Sequence, residues 1–283
     1  MTVMPKQLII DKDVFEGTNT NKLCAFAENH FLILPDVLLY ECLTTPKKND
    51  ILLHRFEQVM LAGAYVCPPI KTIVYKEAKN LSPYRFLPDL KMTTDIRKAI
   101  KRNNVFFNSN YIQEIYEKHC KGAQILLDSA PKTAEKIASQ KPEVLRKARK
   151  YQANRSERFK LWVETVMCED IHKLVIQKLG HLTDSPEKFC LSDEWITWYY
   201  FCFVSVIYLE YSFLRTVQDE TPKLIKAEHD CQDIEYASYL SRVDGLLTKD
   251  KQLVTPVAKA AFPEKDVFSS LDEVPEEYIC HWS

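Results

Sequence analysis

Five carboxylates near the two ends of the chain have the residue types and positions expected of a divalent-metal site. Carboxylates gathered in one pocket repel each other and resist ionisation, and a bound cation relieves that repulsion. Mg²⁺ and Mn²⁺ prefer hard oxygen ligands and keep open positions for water and phosphate. Such a site can polarise a phosphodiester and supply hydroxide near neutral pH. The candidate ligands are Asp11, Glu41, Asp230, Asp233 and Asp250.

The elements predicted around these acids explain why they should meet. Asp11 directly follows the apolar run 7–10, and Asp250 lies just beyond the apolar run 246–248. Both runs are typical of short buried strands in a parallel sheet. Ligands bind at the carboxyl ends of such strands, so both acids are expected at the same edge of the sheet.

The other candidate ligands lie on predicted helices. The helix that follows the predicted strand 30–34 carries Glu41 beside an apolar stripe. Asp230 and Asp233 are three residues apart on a second helix, so both project from one face. That helix leads into the strand before Asp250, which places its start at the same side of the sheet. Spacing alone leaves open which of the two aspartates lies nearer the metal.

Two neighbouring polar residues have roles that the pattern also indicates. Thr248 is expected either to hydrogen-bond a carboxylate or to cap the end of its strand. Glu235 faces away from the pair of helical aspartates on a helical projection, so it is expected to be solvated.

The chain as a whole is expected to be an α/β protein with a central parallel sheet. Strand–helix alternation occupies 1–50 and returns over 226–283, which predicts a discontinuous core. Segment 51–225 is predicted to be a mainly helical insertion that partly completes this core. Within it, helices are predicted over 51–64, 94–101, 110–129, 131–137, 142–180 and 192–218, with a weak strand at 70–75.

Composition excludes several classes of protein. Five glycines among 283 residues form no phosphate-binding Gly-rich loop, and the net charge of −1 gives no global attraction to nucleic acid. Nine cysteines without a C-x-x-C pair indicate reduced thiols of a cytoplasmic protein. The uncharged run 195–209 is shorter than the roughly 20 residues that span a bilayer. It therefore predicts a buried helix, and no membrane partner is expected.

A basic segment gives the second functional signal. Residues 141–160 contain eight Lys or Arg against two Glu, which suits contact with a phosphate backbone, although a solvated helix face has the same pattern. Tyr151 and Phe159 lie among them and are candidates for stacking on bases. The candidate nucleic-acid-binding residues are Arg146, Lys147, Arg149, Lys150, Arg155 and Arg158.

Four stretches taken together resemble the acidic motifs of PIN-domain nucleases. They are LIIDKDVF (8–15), PDVLLYECL (35–43), DCQDIEYASYL (230–240) and GLLTKDKQL (245–253). Asp11, Glu41, Asp233 and Asp250 match the four acids of that family. The resemblance implies a PIN-like three-layer fold and a Mg²⁺- or Mn²⁺-dependent nuclease that cuts single-stranded RNA with a water nucleophile.

The chain also departs from that family pattern. Asp13 stands where the family commonly has Asn, and the helical insertion is far longer than a compact PIN toxin carries. The resemblance covers only residues 7–50 and 227–275. It leaves the role open among toxin, defence effector and RNA-processing factor, and leaves open a protein partner or a homodimer.

Two other functions fit parts of the same sequence. The opening D-K-D-V-F also resembles haloacid-dehalogenase-type phosphatases, with Asp11 as nucleophile and Asp13 as acid. Asp36, however, follows the second predicted strand where those enzymes need Ser or Thr. The third hypothesis is a non-catalytic PIN-like scaffold that binds RNA or a protein through its helical insertion.

Overall fold

The centre of the protein is a sheet of five strands, all parallel, in the order β3-β2-β1-β4-β5. The prediction of an α/β protein with a central parallel sheet is therefore confirmed. The structure, a computed structural model, describes residues 5–102, 117, 121, 123–125, 127–128 and 142–280. The strands are β1 (Gln7–Ile10), β2 (Phe31–Leu34), β3 (Tyr65–Val66), β4 (Gly245–Leu247) and β5 (Asp266–Phe268).

Helices make up most of the rest of the described chain. The first six are α1 (Lys12–Gly17), α2 (Thr20–Asn29), α3 (Asp36–Thr44), α4 (Asn49–Ala62), α5 (Ile70–Asn80) and α6 (Leu90–Lys101). After the gap in the description come α7 (Pro142–Arg149), α8 (Arg155–Val166), α9 (Glu169–Leu179), α10 (Ile196–Val217), α11 (Leu224–Tyr239) and α12 (Val254–Ala261). Short 3₁₀ helices lie at Gly180–Leu182, Pro186–Lys188, Leu240–Arg242, Leu271–Glu273 and Glu276–Tyr278.

The strand order reverses between β1 and β4. From β1 the sheet extends to β2 and β3 on one side, and to β4 and β5 on the other. Right-handed crossovers place the helices after β1 and β2 on one face and those around β4 on the other. The packing agrees, because α2 and α3 lie against α4 whereas α11 lies against α12. Residues just after β1 and β4 therefore border the crevice where α/β folds bind ligands.

Burial explains why such short strands suffice. The apolar residues of β1, β2 and β4 are buried, as expected for parallel strands covered by helices on both faces. β3 is a two-residue edge strand from within the predicted insertion, and it pairs with β2. Sequence pattern did not predict β3, because two residues are too few to establish a period.

The weak strand predicted at 70–75 is wrong, because this stretch is the first half of α5. Ile70, Ile73 and Val74 are buried at spacings of three and one, which is the pattern of one helix face rather than of alternating strand residues. The stretch was too short for its period to be recognised against its β-branched composition.

The single helix predicted over 142–180 is three helices. Asn154 interrupts it and caps α8 by accepting a hydrogen bond from the backbone N–H of Glu157. The interruption at Cys168 separates α8 from α9. The helices predicted over 110–129 and 131–137 lie largely outside the described residues.

The prediction of a buried helix at 195–209 is confirmed by α10, which packs against α8 and α11. In the described ranges, no helix combines the length and apolarity needed to cross a membrane. α10 carries a buried acid, Glu210, which explains how a charge enters this apolar helix. Arg158 of α8 donates to its two carboxylate oxygens at 2.7 and 3.0 Å, and Trp162 donates at 2.9 Å.

Arg158 is expected to be required for stability because it neutralises Glu210 in the interior. Arg158→Met leaves the buried Glu210 with only the ion pair to Arg155 at 3.6 Å and the hydrogen bond from Trp162, and we expect the free energy of unfolding to fall by about 3 kcal/mol. Urea denaturation measures this change, with Arg146→Met on exposed α7 as the matched control, expected to change stability by less than about 0.5 kcal/mol. Equal stability of the two variants would contradict a structural role for Arg158.

Candidate functional site

The crevice between β1 and β4 is bordered by one hydrogen-bonded acid–threonine pair. The backbone N–H of Asp11 donates to the carbonyl oxygen of Leu247 at 2.8 Å, which ties the end of β1 to the end of β4. The hydroxyl of Thr248 donates to Asp11 Oδ2 at 2.5 Å and accepts from the backbone N–H of Asp250 at 3.1 Å. The expectation that Thr248 bonds a carboxylate is confirmed, and it also orders the strand end.

Asp250 is held by the backbone that follows it. Its carboxylate accepts hydrogen bonds from the N–H groups of Gln252, Leu253 and Val254, at 2.6, 3.1 and 3.2 Å. These groups belong to the turn before α12 and to its first residue, so Asp250 orders the turn that leads into the helix and its side chain is fixed. Each carboxylate oxygen has more than one lone pair, so these hydrogen bonds leave acceptor capacity for a cation.

Glu41 reaches the crevice from α3. Its Oε2 accepts a hydrogen bond from the hydroxyl of Tyr236 at 2.6 Å, and its Oε1 lies 3.9 Å from Nζ of Lys12. Tyr236 follows Asp233 by three residues on α11, so one face of that helix carries both side chains. The acidic motifs do not single out Tyr236, and its spacing of three residues from Asp233 was the available sequence signal.

Burial raises the pKa of Asp11 to about 7. The neighbouring charges of Asp13 and Asp250 act in the same direction, while the hydrogen bond from Thr248 partly offsets them. A carboxyl with this pKa is incompletely ionised at neutral pH, which is unusual for aspartate. The interaction with Asp250 also means that these two acids are close enough to influence each other.

Burial also raises the pKa of Glu41 to about 8, and the charge of Asp11 adds to this effect against the hydrogen bond from Tyr236. The pKa of Asp233 is raised well above its usual value, first by burial and then by the charges of Asp11, Asp250 and Glu41. Acids from four separate parts of the chain are thus electrostatic neighbours. They are the four that matched the acidic motifs.

Asp233 differs from the other three acids in its hydrogen bonding. Among the contacts of the described residues, none donates a hydrogen bond to its carboxylate and none forms an ion pair with it. Asp233 is half-buried, so its carboxylate is partly desolvated without being enclosed. A carboxylate in this position without a protein partner suits a cation that supplies the missing charge. Spacing left open which of Asp230 and Asp233 lies nearer the metal, and the contacts of the two side chains now distinguish them.

Asp230 has the opposite environment, and its prediction as a metal ligand is corrected. Its side chain is 3% exposed, and its Oδ2 accepts from Arg155 Nη2 at 2.5 Å and from the Tyr211 hydroxyl at 2.7 Å. Lys226 Nζ lies 3.6 Å from its other oxygen. These partners neutralise the charge of Asp230 within the fold, so Asp230 stabilises the position of α11 and does not need a cation.

The predicted nucleic-acid-binding residues divide into two groups. Arg158 is only 4% exposed and is bound to Glu210, so its prediction as a phosphate contact is wrong. Arg155 is half-buried and forms an ion pair with Asp230, and its role as a phosphate contact stays a prediction. The remaining four are exposed on α7 or just after it: Arg146, Lys147, Arg149 and Lys150.

Two further expectations have similar outcomes. Phe159 is fully buried and cannot stack on a base, whereas Tyr151 is 39% exposed and is free to do so.

Glu235 was expected to be solvated but is 6% exposed. Burial raises its pKa to about 8, with Lys71 opposing and Asp36 adding to the shift. α11 is enclosed on more sides than its amphipathic pattern indicated, since α3 and α10 also pack on it.

The donor set fits Mg²⁺ or Mn²⁺ in kind. The coupled acids offer carboxylate oxygens, which are hard ligands. In the part of the chain that the structure describes, no three His, Cys, Asp or Glu side chains already stand in metal-ligating geometry. Binding a cation would therefore require side-chain rotation of the four acids, and Asp233 is the one that no hydrogen bond restrains.

Comparison of the chain with models of protein families, with curated proteins and with solved structures found no match. The resemblance of its acidic motifs to those of PIN-domain nucleases thus stays a prediction.

The raised carboxyl pKa values predict that the metal-free protein loses stability as pH rises. The folded-state pKa of Glu41, about 8, lies above the value of about 4.3 expected in the unfolded chain. Between these values the folded state holds a proton that the unfolded state lacks, so each step up in pH favours unfolding. The stability is fully present below about pH 4 and is lost as pH passes through the folded pKa.

Glu41→Gln removes this contribution and keeps the hydrogen-bond acceptor for Tyr236. We expect the loss of unfolding free energy between about pH 5 and 8 to shrink by on the order of 1–3 kcal/mol. Urea denaturation in EDTA across this range measures it, with Glu164→Gln on the exposed face of α8 as the matched control. A Glu41→Gln curve parallel to that of the unmodified protein would refute the proposed environment.

Proposed function

We propose that this protein is a Mg²⁺- or Mn²⁺-dependent nuclease with a PIN-like fold that hydrolyses single-stranded RNA. The observation that carries the proposal is the half-buried carboxylate of Asp233, which accepts no hydrogen bond from a described residue and lies among three coupled acids. Excess negative charge in a buried crevice at the carboxyl edge of a parallel sheet is the environment in which a divalent cation is stabilised. Phosphodiester hydrolysis is the reaction that the acidic motifs imply for such a cation.

The residues of the crevice have distinct parts in this proposal. Asp11, Glu41, Asp233 and Asp250 would hold the cation, which when bound supplies Lewis-acid activation of water and phosphate. Thr248 fixes the orientation of Asp11, and the backbone before α12 fixes Asp250. Tyr236 fixes Glu41 in the same way. These hydrogen bonds restrain three carboxylates in the metal-free protein, and the same donors would support the carboxylates as ligands once they turn toward a cation.

The exposed basic face of α7 supports RNA as the substrate. α7 leads into α8, whose first residue, Arg155, is bound to Asp230 on α11. Asp230 precedes Asp233 by three residues, so the basic segment and the acidic crevice share one helix as their support. A strand of RNA lying along the basic face of α7 would therefore be guided toward α11 and the crevice. Tyr151 adds an exposed ring beside this path.

The phosphatase alternative has weaker support in the same crevice. Asp11 and Asp13 stand close together as that mechanism needs, but Asp36 begins α3 directly after β2, where a Ser or Thr is required. The phosphatase forms a covalent aspartyl-phosphate and the nuclease does not. Borohydride trapping after incubation with a phosphomonoester therefore distinguishes the two.

Cleavage of labelled single-stranded RNA in Mn²⁺ tests the proposed function. Asp11→Asn and Asp233→Asn each remove a ligand charge with little change in volume, and we expect the cleavage rate to fall roughly 10²-fold or more. Asp95→Asn, at an exposed position of α6, is the matched control and should keep the full rate. EDTA should abolish cleavage by the unmodified protein.

Three outcomes separate the hypotheses. Equal cleavage by the unmodified protein, Asp11→Asn and Asp233→Asn would assign the activity to a contaminant and refute the nuclease. RNA binding without cleavage by any of them supports the non-catalytic scaffold instead. Absence of both binding and cleavage refutes RNA as the ligand.

Replacing the four exposed basic residues of the α7 segment tests the RNA path. We expect the quadruple Gln variant to weaken RNA binding uniformly across sequences, and to reduce the slope of log affinity against log salt by roughly 2–3. Fluorescence anisotropy in EDTA measures this without cleavage. A control with the same number of charges removed from α5 and α6 should keep the slope: Lys79, Lys91, Lys98 and Lys101 to Gln.

A further inference from the structure

Lys12 is a cation placed inside the acidic crevice. It is the first residue of α1 and directly follows Asp11, so the end of β1 carries it to the carboxyl edge of the sheet. Its Nζ lies 3.9 Å from Glu41 Oε1, within ion-pair range but beyond hydrogen-bonding distance, and its side chain is 23% exposed. It donates no hydrogen bond to any residue in the described ranges. Its three N–H donors therefore remain available to a ligand.

Of the other cations around α1, two have protein partners and a third lies near the opposite end of the helix. Arg55 donates to the carbonyl oxygens of Phe15 and Glu16, at 2.8 and 2.7 Å. Lys48 is paired with the carboxylate of Glu16 at 2.5 Å. Nζ of Lys249 lies against Gly17, at the far end of α1 from Asp11. Among these four cations, Lys12 is the one that forms an ion pair with an acid of the crevice.

The charge of the crevice requires such a cation when a phosphate arrives. Four ionised carboxylates and one divalent cation leave a net charge of about −2, and a phosphodiester brings a further negative charge. Repulsion between these groups would oppose substrate binding. It would oppose the transition state more strongly, because negative charge builds up on the phosphate oxygens as water attacks.

We propose that Lys12 binds a non-bridging oxygen of the scissile phosphodiester and stabilises the charge that develops on it. The inference rests on the proposed nuclease function and adds a residue that the acidic motifs do not include. The ammonium approaches the crevice from the side of Glu41, so it can keep its ion pair with that acid while donating to the phosphate. A lysine suits this position because its compact charge and three donors need no fixed orientation.

A structural role for Lys12, as the counter-ion of Glu41 alone, makes different predictions. A lysine that only neutralises Glu41 competes with the metal for that carboxylate. Its removal would raise Mn²⁺ affinity or leave it unchanged, and would not slow the reaction at saturating metal. A lysine that contacts the phosphate lowers the rate at saturating metal when it is removed.

The experiment compares Lys12→Gln, Lys12→Arg and the matched control Lys48→Gln at saturating Mn²⁺. For Lys12→Gln we expect kcat to fall about 10²-fold or more, with Mn²⁺ affinity undiminished. Its RNA affinity, measured in Ca²⁺ against salt, should lose about 0.7 from the logarithmic slope, as for one contact to a single strand. Lys12→Arg keeps the charge and should recover part of kcat. Lys48→Gln should match the unmodified protein in kcat and salt slope.

The possible failures are distinguishable. If the unmodified protein cleaves RNA and Lys12→Gln keeps its kcat and salt slope, the inference is wrong while the nuclease function stands. If excess Mn²⁺ restores Lys12→Gln to full rate, Lys12 acts through the metal site and the phosphate contact is refuted. If the unmodified protein does not cleave RNA, both the inference and the function on which it rests are overturned. Urea denaturation of Lys12→Gln checks that its fold is intact.

Discussion

Mutual repulsion among one buried and three half-buried carboxylates is the constraint around which the crevice is organised. Asp11 and Asp250 come from the ends of adjacent strands, Glu41 comes from α3, and Asp233 comes from α11. Bringing them together raises their free energy, and the fold offsets part of this with donors that fix individual acids. Thr248 and Tyr236 are such donors. These hydrogen bonds leave part of the repulsion between the carboxylates uncompensated. A bound cation would relieve the remainder.

The parts of the site that depend on local pattern were predictable from sequence. Short apolar runs marked β1 and β4, and parallel topology placed Asp11 and Asp250 at one edge. The choice between Asp230 and Asp233 was not predictable, because a spacing of three puts both on the same side of a helix. What separates them is Arg155, which comes from a distant segment and reaches only one of the two. Long-range partners of this kind leave no local signal.

Charge composition was a poorer guide than burial in the basic segment. The sequence counts Arg158 and Arg146 alike, yet one is enclosed by α10 and the other faces solvent. The sequence signal for the burial of Arg158 was Glu210, an isolated acid in an apolar stretch. A buried acid of this kind indicates that a cation must pack against it. Glu235 was misjudged for a related reason, since a helix enclosed on several sides has no solvated face. Helical periodicity describes one buried face and fails where three elements meet.

The ion pair between Arg155 and Asp230 changes how the division of this chain into core and insertion should be understood. An insertion that is a detachable module leaves no buried charge behind when it is removed. Excising residues 51–225 would take away both Arg155 and Tyr211, and leave Asp230 with only its ion pair to Lys226, one turn before Asp233. We therefore expect the core and the insertion to depend on each other for folding. A fragment made by joining residues 1–50 to 226–283 is expected to lose the helix that carries Asp233.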